Sequence, residues 1–300
     1  MFSLRIATLN LWGNHAPWTE RRRLISAEIQ RLSADVLAFQ EVLRPQGPGT
    51  SQADDLVSGQ PFRVCFGRAC NIEKPFVSEF GNALLTRFPV REQRTLVLPT
   101  PPSAETRSAL YVVLSVNVGI LPVVTTHLSW EPELAEVRAA QVRHIQQFLH
   151  LEMSRLPSRV PPHIPVLPPI LLGDLNAPWE SPELVCLQTP TDAGGEVLFR
   201  DTFDLCGSGP KETFSSENPY CKARDPAIDQ RIDYILVGQA GALQRLRPVS
   251  SFVCFRTGEG GVFPSDHFGV CTEFECADSP VLPSQPFGSG GETDTKSGAA

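Results

Sequence analysis

Residues 169–176 read Pro-Ile-Leu-Leu-Gly-Asp-Leu-Asn, and residues 265–270 read Ser-Asp-His-Phe-Gly-Val. Each stretch joins a short apolar run of strand character to carboxylate, amide or imidazole groups. A sheet whose strands end in this way presents hard oxygen ligands for a metal ion, together with a proton-transfer group, at one rim. The two stretches therefore predict a sheet protein with a metal-assisted hydrolytic site at its strand ends.

The start of the chain predicts a βαβ unit. Residues 3–10 alternate as a strand does, 20–32 carry apolar side chains at helical spacing, and 35–41 form a second apolar strand. Parallel neighbours expose their C-terminal ends together. We therefore expect Asn10 and Glu41 to emerge at the same edge of one sheet.

The middle of the chain predicts four further strands, a long helix and a proline-rich loop. The strand-like runs are separated by turn residues and favour an antiparallel meander; they lie at 62–67, 81–87, 109–117 and 120–127. The amphipathic helix spans 132–153, and six prolines predict an irregular surface loop at 157–169.

The second half of the chain repeats this plan. A strand leads into Gly173, and a short helix follows near 181–188. Three more strands are expected at 231–237, 248–255 and 267–275. We predict a single catalytic domain at 1–276, followed at 277–300 by a disordered tail without catalytic work, because that segment is too poor in apolar residues to order itself.

Composition narrows the class of protein. The N-terminus lacks the features of a secretory signal, and no apolar run reaches the length of a membrane helix. The eight cysteines contain no Cys-x-x-Cys pair, which favours reduced thiols. We expect a cytoplasmic monomer with no transmembrane segment and no stable protein partner. The net charge of −7 argues against tight binding of nucleic acid by bulk phosphate neutralisation, without excluding a nuclease.

Six strand-like runs end in polar groups. These groups are Asn10, Glu41, His127, Asp174 with Asn176, Asp233, and Asp266 with His267. A turn or capping role could explain any one of them, but six such strand ends in one chain are better explained by a shared site.

The order and contexts of these residues resemble the endonuclease/exonuclease/phosphatase superfamily, which includes deoxyribonuclease I-like nucleases, neutral sphingomyelinases and inositol polyphosphate 5-phosphatases. The resemblance covers residues 3–275 and is most specific at 173–176, 231–234 and 265–267, with weaker support at 81–89. It implies an α/β fold, a four-layer α/β/β/α sandwich of two mixed, largely antiparallel sheets. It also implies a phosphoric ester hydrolase with its site at one end of the facing sheets.

Phosphodiester hydrolysis needs neutralised phosphate oxygens, an activated water in line with the leaving oxygen, and a proton for that oxygen. Glu41, with Asn10 and Asp266, is expected to hold a divalent ion. Mg²⁺ is the expected ion, since it takes few carboxylates and keeps open positions, and Mn²⁺ is an alternative.

The remaining polar residues have expected roles in proton transfer and phosphate binding. Asp174 is expected to orient or deprotonate the attacking water, and Asn176 to donate to a phosphate oxygen. His267 resembles the family's His-Asp pair, here with Asp233, and acts either as the base or as a phosphate clamp. His127 stands where some family members place a general acid.

The substrate is less well determined than the reaction. All four tryptophans lie near the motifs, and Trp130 and Trp179, together with Asn82, are expected to bind the substrate. His127 and the Gln40-Glu41-Val42 context favour a sphingomyelinase-like phosphodiesterase acting on a lipid headgroup. Alternatives are a nuclease for DNA or RNA, a phosphomonoesterase of inositol phosphates, and a non-catalytic binding module.

Overall fold

A computed structural model describes residues 2–73, 77–190, 197–223 and 227–277. Its strands are β1 Phe2–Asn10, β2 Val36–Pro45, β3 Arg63–Ile72, β4 Ser78–Thr86, β5 Val90–Val97, β6 Ser108–Val116, β7 Gly119–His127, β8 Ile170–Asp174, β9 Phe199–Asp201, β10 Phe214–Ser215, β11 Asp229–Gln230, β12 Asp233–Gly238, β13 Leu246–Cys254 and β14 Gly269–Cys276. Its α-helices are α1 Trp18–Leu32, α2 Gln52–Leu56, α3 Ala135–Arg155, α4 Pro182–Val185, α5 Thr202–Cys206 and α6 Pro219–Lys222. Short 3-10 helices lie at Pro132–Leu134, Leu156–Arg159 and Leu243–Arg245.

Two six-stranded sheets dominate the fold. Their strand orders are β13-β14-β1-β2-β4-β3 and β5-β6-β7-β8-β12-β9. Each sheet contains one parallel pair, β1 with β2 and β7 with β8, and the other pairings within them are antiparallel. The helices α1 and α3 lie in the connections between these parallel partners, as a βαβ crossover requires. The predicted mixed, largely antiparallel sheets are confirmed.

The apolar side chains form three cores, which separate four layers. The central core lies between the two sheets and includes Leu84 and Val112. A second core joins the first sheet to α1 through residues such as Ile25. The third joins the second sheet to α3 and includes Val142 and Ile145. The layers therefore follow the predicted order α/β/β/α.

Alternation along the strands places the polar strand ends in the central layer. On β1, Ile6 lies in the central core, so Asn10, an even number of residues later, is on the same face. On β8, Leu172 lies in the central core, and Asp174 follows it on the same face. The end of the inter-sheet core is consequently lined by polar groups from both sheets.

The predicted antiparallel meander is wrong. The runs at 62–67 and 81–87 fall in β3 and β4 of the first sheet, whereas those at 109–117 and 120–127 fall in β6 and β7 of the second. An unpredicted strand, β5, follows β4 in the chain and forms an edge of the second sheet. A strand pattern shows which face is apolar, but it does not show which of two sheets will pair with that strand.

Other differences are smaller. The proline-rich loop begins with a 3-10 turn at Leu156–Arg159. The predicted tail lies outside the described residues from 278 onwards.

All eight cysteines are free thiols. Among the described residues, no helix combines the length and apolar character needed to cross a bilayer.

Gly173 lies where β8 passes close to β7. Its φ is +129°, and an added Cβ would lie 2.1 Å from the carbonyl oxygen of Thr126. Gly209 also has a positive φ, +80°, but nothing lies within 4 Å of its added Cβ. A substitution would therefore be strained at both positions, but only at Gly173 would its Cβ also meet a backbone atom.

Gly173→Ala should lower the free energy of unfolding by about 3 kcal/mol or more, because strain and a backbone clash combine. Gly209→Ala, the matched control, should cost only about 1 kcal/mol, from strain alone. Urea unfolding followed by circular dichroism measures both. Equal losses for the two variants would contradict the proposed close approach.

Candidate active site

Polar contacts bridge the two sheets where the central core ends. Gln40 on β2 donates from Nε2 to Thr8 Oγ1 at 3.1 Å and to Thr125 Oγ1, in the other sheet, at 3.0 Å. Further towards the rim, Asn10 Nδ2 donates to Asp174 Oδ2 at 2.9 Å. Because these buried groups satisfy one another, the sheets are held at a fixed separation at the site.

A β-bulge presents Glu41. The pairing of β2 with β4 shifts between Phe39 and Val42, so that β2 contains one extra residue at this point. Glu41 lies in the bulge with a φ of +56° and is partly exposed between buried neighbours. Its Oε1 accepts a hydrogen bond from Asn10 Nδ2 at 3.1 Å. The bulge thus turns this carboxylate to the end of β1, as the βαβ prediction required.

Asp174 is the centre of the site. Besides the amide of Asn10, its Oδ2 lies 3.5 Å from His127 Nε2 and 3.7 Å from His267 Nε2. Its other oxygen accepts the backbone N–H of Asn176 at 2.9 Å. Asn176 also donates from Nδ2 to the carbonyl of Leu128 at 3.0 Å. One carboxylate therefore joins residues from both sheets and from both halves of the chain.

His267 forms the predicted pair with Asp233. The distance from His267 Nδ1 to Asp233 Oδ2 is 2.9 Å, and Asp233 is fully buried at the start of β12, opposite Asp174. Burial alone would lower the pKa of His267, but the carboxylates of Asp233 and Asp174 outweigh it and raise this pKa well above its ordinary value. The imidazole is therefore held as a cation between two carboxylates.

His127 has the opposite environment. Its Nδ1 lies 3.2 Å from Nη1 of Arg107, a buried residue just before β6 that lies in none of the sequence motifs. Burial, and then the positive charge of Arg107, lower the pKa of His127 well below its ordinary value. This imidazole is neutral at physiological pH.

Two carboxylates of the site are protonated more easily than usual. Burial and then repulsion from Asp266 raise the pKa of Glu41. Burial and then repulsion from Asp233 raise the pKa of Asp174 to about 7. Such crowding of buried oxygen ligands suits a divalent cation, which would lower both pKa values by neutralising the repulsion.

The site opens into a cleft of about 780 Å³. Eight of the predicted residues line it, namely Asn10, Glu41, His127, Trp130, Asp174, Asn176, Asp266 and His267. Asp233 lies behind His267. The apolar lining residues of the cleft are Trp130, Pro132, Ala177, Pro178, Phe214, Ile228 and Ile232. The ring of Phe214 lies 4.8 Å from that of His267, so part of this apolar lining is next to the polar end of the cleft.

Two predicted substrate-binding residues do not line the cleft. Asn82 is 1% exposed, opposite the bulge, and donates from Nδ2 to the carbonyl of Ser108 at 2.9 Å. Trp179 is 7% exposed and packs in the core, with its ring 5.8 Å from that of Tyr234. Proximity to a motif in sequence did not distinguish these inward-facing side chains from Trp130, which is 59% exposed.

The mouth of the cleft also includes Trp12 and His15, whose rings stack 4.6 Å apart. Arg21 holds this loop in place by donating to the carbonyls of Leu11, His15 and Pro264. The sequence indicated Trp12 by its distance from Asn10 but gave no signal for Arg21, which lies in a basic run typical of a solvated helix turn.

A model of the endonuclease/exonuclease/phosphatase family matches residues 7–267. The chain belongs to this family. A functionally unknown conserved protein from Enterococcus faecalis V583 has a similar structure, with a TM-score of 0.68 and 21% identity, over 91% of this chain and 100% of that one.

TDP2 from D. rerio, solved with a single-strand DNA product, is also similar, with a TM-score of 0.68 and 17% identity, over 92% of this chain and 100% of that one. An endonuclease/exonuclease/phosphatase protein from Beutenbergia cavernae DSM 12333 gives a TM-score of 0.63 and 22% identity, over 94% of this chain and 74% of that one. These structures establish the fold. No curated protein sequence shows significant similarity to the chain.

The raised pKa of Asp174 predicts a pH-dependent change in stability. The unfolded chain releases this proton near pH 4 and the folded protein near pH 7, so the carboxyl lowers the free energy of unfolding progressively between these pH values. Asp174→Asn, in chelator, should therefore be more stable than the parent by about 1–3 kcal/mol at pH 8.

This difference should be small near pH 4 and disappear below about pH 3, where the carboxyl is protonated in both the folded and the unfolded parent. Thermal and urea unfolding at several pH values measure it. Asp55→Asn, at an exposed position, serves as the control and should change stability by less than about 0.5 kcal/mol. A destabilised Asp174→Asn protein at pH 8 would contradict the predicted penalty.

Proposed function

We propose that the chain is a divalent-metal-dependent phosphodiesterase. The observation that carries this proposal is the environment of Asp174 Oδ2, which lies within 3.7 Å of both His127 and His267 and accepts an amide hydrogen bond from Asn10. These three groups line the cleft. The carboxylate can act as a general base, and the neutral and the cationic imidazole can each donate a hydrogen bond to a bound phosphate.

Glu41, Asn10 and Asp266 are the residues that we propose to hold the metal ion, with Mg²⁺ expected and Mn²⁺ as an alternative. All three line the cleft, and Asn10 Nδ2 donates to both the Glu41 and the Asp174 carboxylates. A divalent ion supplies positive charge for the phosphate oxygens when bound there. Asp174, Asp233 and His267 form a second candidate cluster for a metal ion. Because His267 Nδ1 is already in contact with Asp233 at 2.9 Å, we assign this cluster to proton transfer instead of metal binding.

We propose that Asp174, and not His267, is the general base that activates the water. Asp174 Oδ2 lies between the two imidazoles in the lining of the cleft and is placed to accept a proton from a water bound there. His267 is already protonated, because its pKa is raised by Asp233 and Asp174, so it cannot accept the proton of the water. It binds the phosphate as a cation instead, beside the donor Asn176.

The lining of the cleft favours a substrate with a single phosphodiester next to an apolar group. Among the described lining residues Arg138 provides the guanidinium, and it is committed to Glu183 at 2.9 Å and to the carbonyl of Glu131 at 2.8 Å. Part of the lining next to the polar end of the cleft is apolar. This arrangement supports the sphingomyelinase-like assignment over highly anionic inositol phosphates.

A nuclease is the second candidate. D. rerio TDP2, which shares the fold, is solved with a single-strand DNA product. The aromatic side chains Trp12 and Trp130 at the mouth of the cleft would suit stacking on bases. The acidic net charge favours the lipid headgroup over the polynucleotide.

Asp174→Ala and His267→Ala should each lower turnover of bis-p-nitrophenyl phosphate by about 10² or more, with the fold intact. The reaction should require Mg²⁺ or Mn²⁺ and stop in chelator. His150→Ala, an exposed histidine on α3, is the control and should retain parental activity. Activity within a few-fold of the parent in either site variant would refute that residue's role, and activity in chelator would refute the metal requirement.

Trp130→Ala should raise the KM for sphingomyelin in mixed micelles by about tenfold, because an exposed aromatic anchor is lost. The turnover of bis-p-nitrophenyl phosphate should be unchanged. Leu151→Ala removes a comparably exposed apolar side chain from α3 and should affect neither substrate. Parallel assays with a single-stranded oligonucleotide test the nuclease candidate, and cleavage of the oligonucleotide in preference to sphingomyelin would overturn the lipid assignment.

A further inference from the structure

We propose that Arg107 is a positioning residue that fixes the proton of His127 on Nε2 and thereby makes this imidazole a neutral hydrogen-bond donor to the phosphate. The proposal rests on the proposed function for the identity of the acceptor. It concerns a residue that the sequence motifs did not indicate and assigns His127 a role other than general acid.

The first step is the direction of the hydrogen bond between the two side chains. Arg107 Nη1 lies 3.2 Å from His127 Nδ1, and Arg107 is 3% exposed. A guanidinium has only N–H donors and stays protonated in proteins. Nδ1 must therefore accept this hydrogen bond through its lone pair. The ring proton is left on Nε2.

A second contact fixes the guanidinium itself. The same Nη1 lies 2.7 Å from Glu105 Oε1, two residues earlier in the chain. Glu105 is 40% exposed, so this carboxylate reaches the buried guanidinium from the surface side. The cation is thus held against Nδ1 and cannot easily turn away from the imidazole.

The Nε2 proton of His127 is on the side of the ring that faces the cleft. Nε2 faces Asp174 Oδ2 at 3.5 Å, and both residues line the cleft. A hydrogen on this nitrogen is therefore on the cleft side of the ring, beside Asp174 Oδ2, where the proposed function has the phosphate bind. A proton on Nδ1, by contrast, would face the N–H groups of Arg107 and leave two donors opposed.

The neighbouring histidine shows the opposite arrangement. The Nδ1 of His267 faces the carboxylate of Asp233 at 2.9 Å, which requires a proton on that nitrogen. The two rings approach the same oxygen of Asp174 through Nε2, but an arginine stands behind one and an aspartate behind the other. The partner at Nδ1 therefore determines whether that nitrogen accepts or donates a hydrogen bond.

The proton position can be measured directly on the full chain. Long-range ¹H–¹⁵N spectra of protein labelled at histidine nitrogen distinguish protonated from unprotonated ring nitrogens, and the spectrum of His127→Gln assigns the signals. With or without Mg²⁺ at pH 7.5, His127 should show an unprotonated Nδ1 and a protonated Nε2. A proton on Nδ1, in either the neutral tautomer or the imidazolium, would overturn the proposal.

Substitution of Arg107 separates positioning from simple structural support. Arg107→Met removes the donor, so we expect a mixture of His127 tautomers or the imidazolium, and a decrease in kcat of about tenfold with little change in KM. Arg107→Gln retains a donor for Nδ1 and should keep the parental tautomer and most of the activity. A parental tautomer in Arg107→Met would refute the assignment.

A double-mutant cycle provides the final test. In a His127→Ala background, Arg107→Met should cost less than about twofold in kcat, because the group it positions is absent. An undiminished tenfold loss in that background would show that Arg107 acts by another route. The absence of phosphodiesterase activity in the parent would refute the proposed function, whereas the spectra would still decide the position of the proton.

Discussion

In a sandwich of two sheets, every second side chain of each strand points into the space between the sheets, and this space must be filled or satisfied. Apolar residues such as Ile6 and Leu172 fill it along most of its length. At one end of the strands the inward-facing side chains are polar, and those from one sheet face those from the other. The hydrogen bond from Asn10 to Asp174 joins the two sheets at this point, and the rest of the site is assembled around it.

The site is a set of buried charges whose balance depends on individual neighbours. Asp174 and Glu41 are disfavoured as anions by burial and by nearby carboxylates, whereas His267 is favoured as a cation by the same carboxylates. Such an arrangement is costly for the folded protein unless a ligand completes it. In the proposed function, binding of a metal ion and of a phosphate would offset this cost, because both would interact with the prearranged charges.

The sequence predicted much of this arrangement, for identifiable reasons. Alternation and helical spacing determined the strand ends and the first βαβ unit, because both depend on local order along the chain. The division of the strands between two sheets depends on long-range pairing and was not predicted. Trp179 and Asn82 were assigned to the substrate because neither motif distance nor residue type indicates which face a side chain occupies. Arg107 was missed because it lies 20 residues before His127, and only the antiparallel pairing of β6 with β7 brings them together.

The position of β14 in the first sheet has a consequence for the synthesis of the protein. This strand lies between β13 and β1, so the first strand of the chain lacks one neighbour until the last described strand has been made. Asp266 and His267 immediately precede β14 and arrive only at that stage. Pairings of such large sequence separation form late and slowly during folding. The nascent chain therefore lacks Asp266 and His267 until nearly all of the described strands have been made, and these two residues join the candidate site only when β14 is added to the sheet.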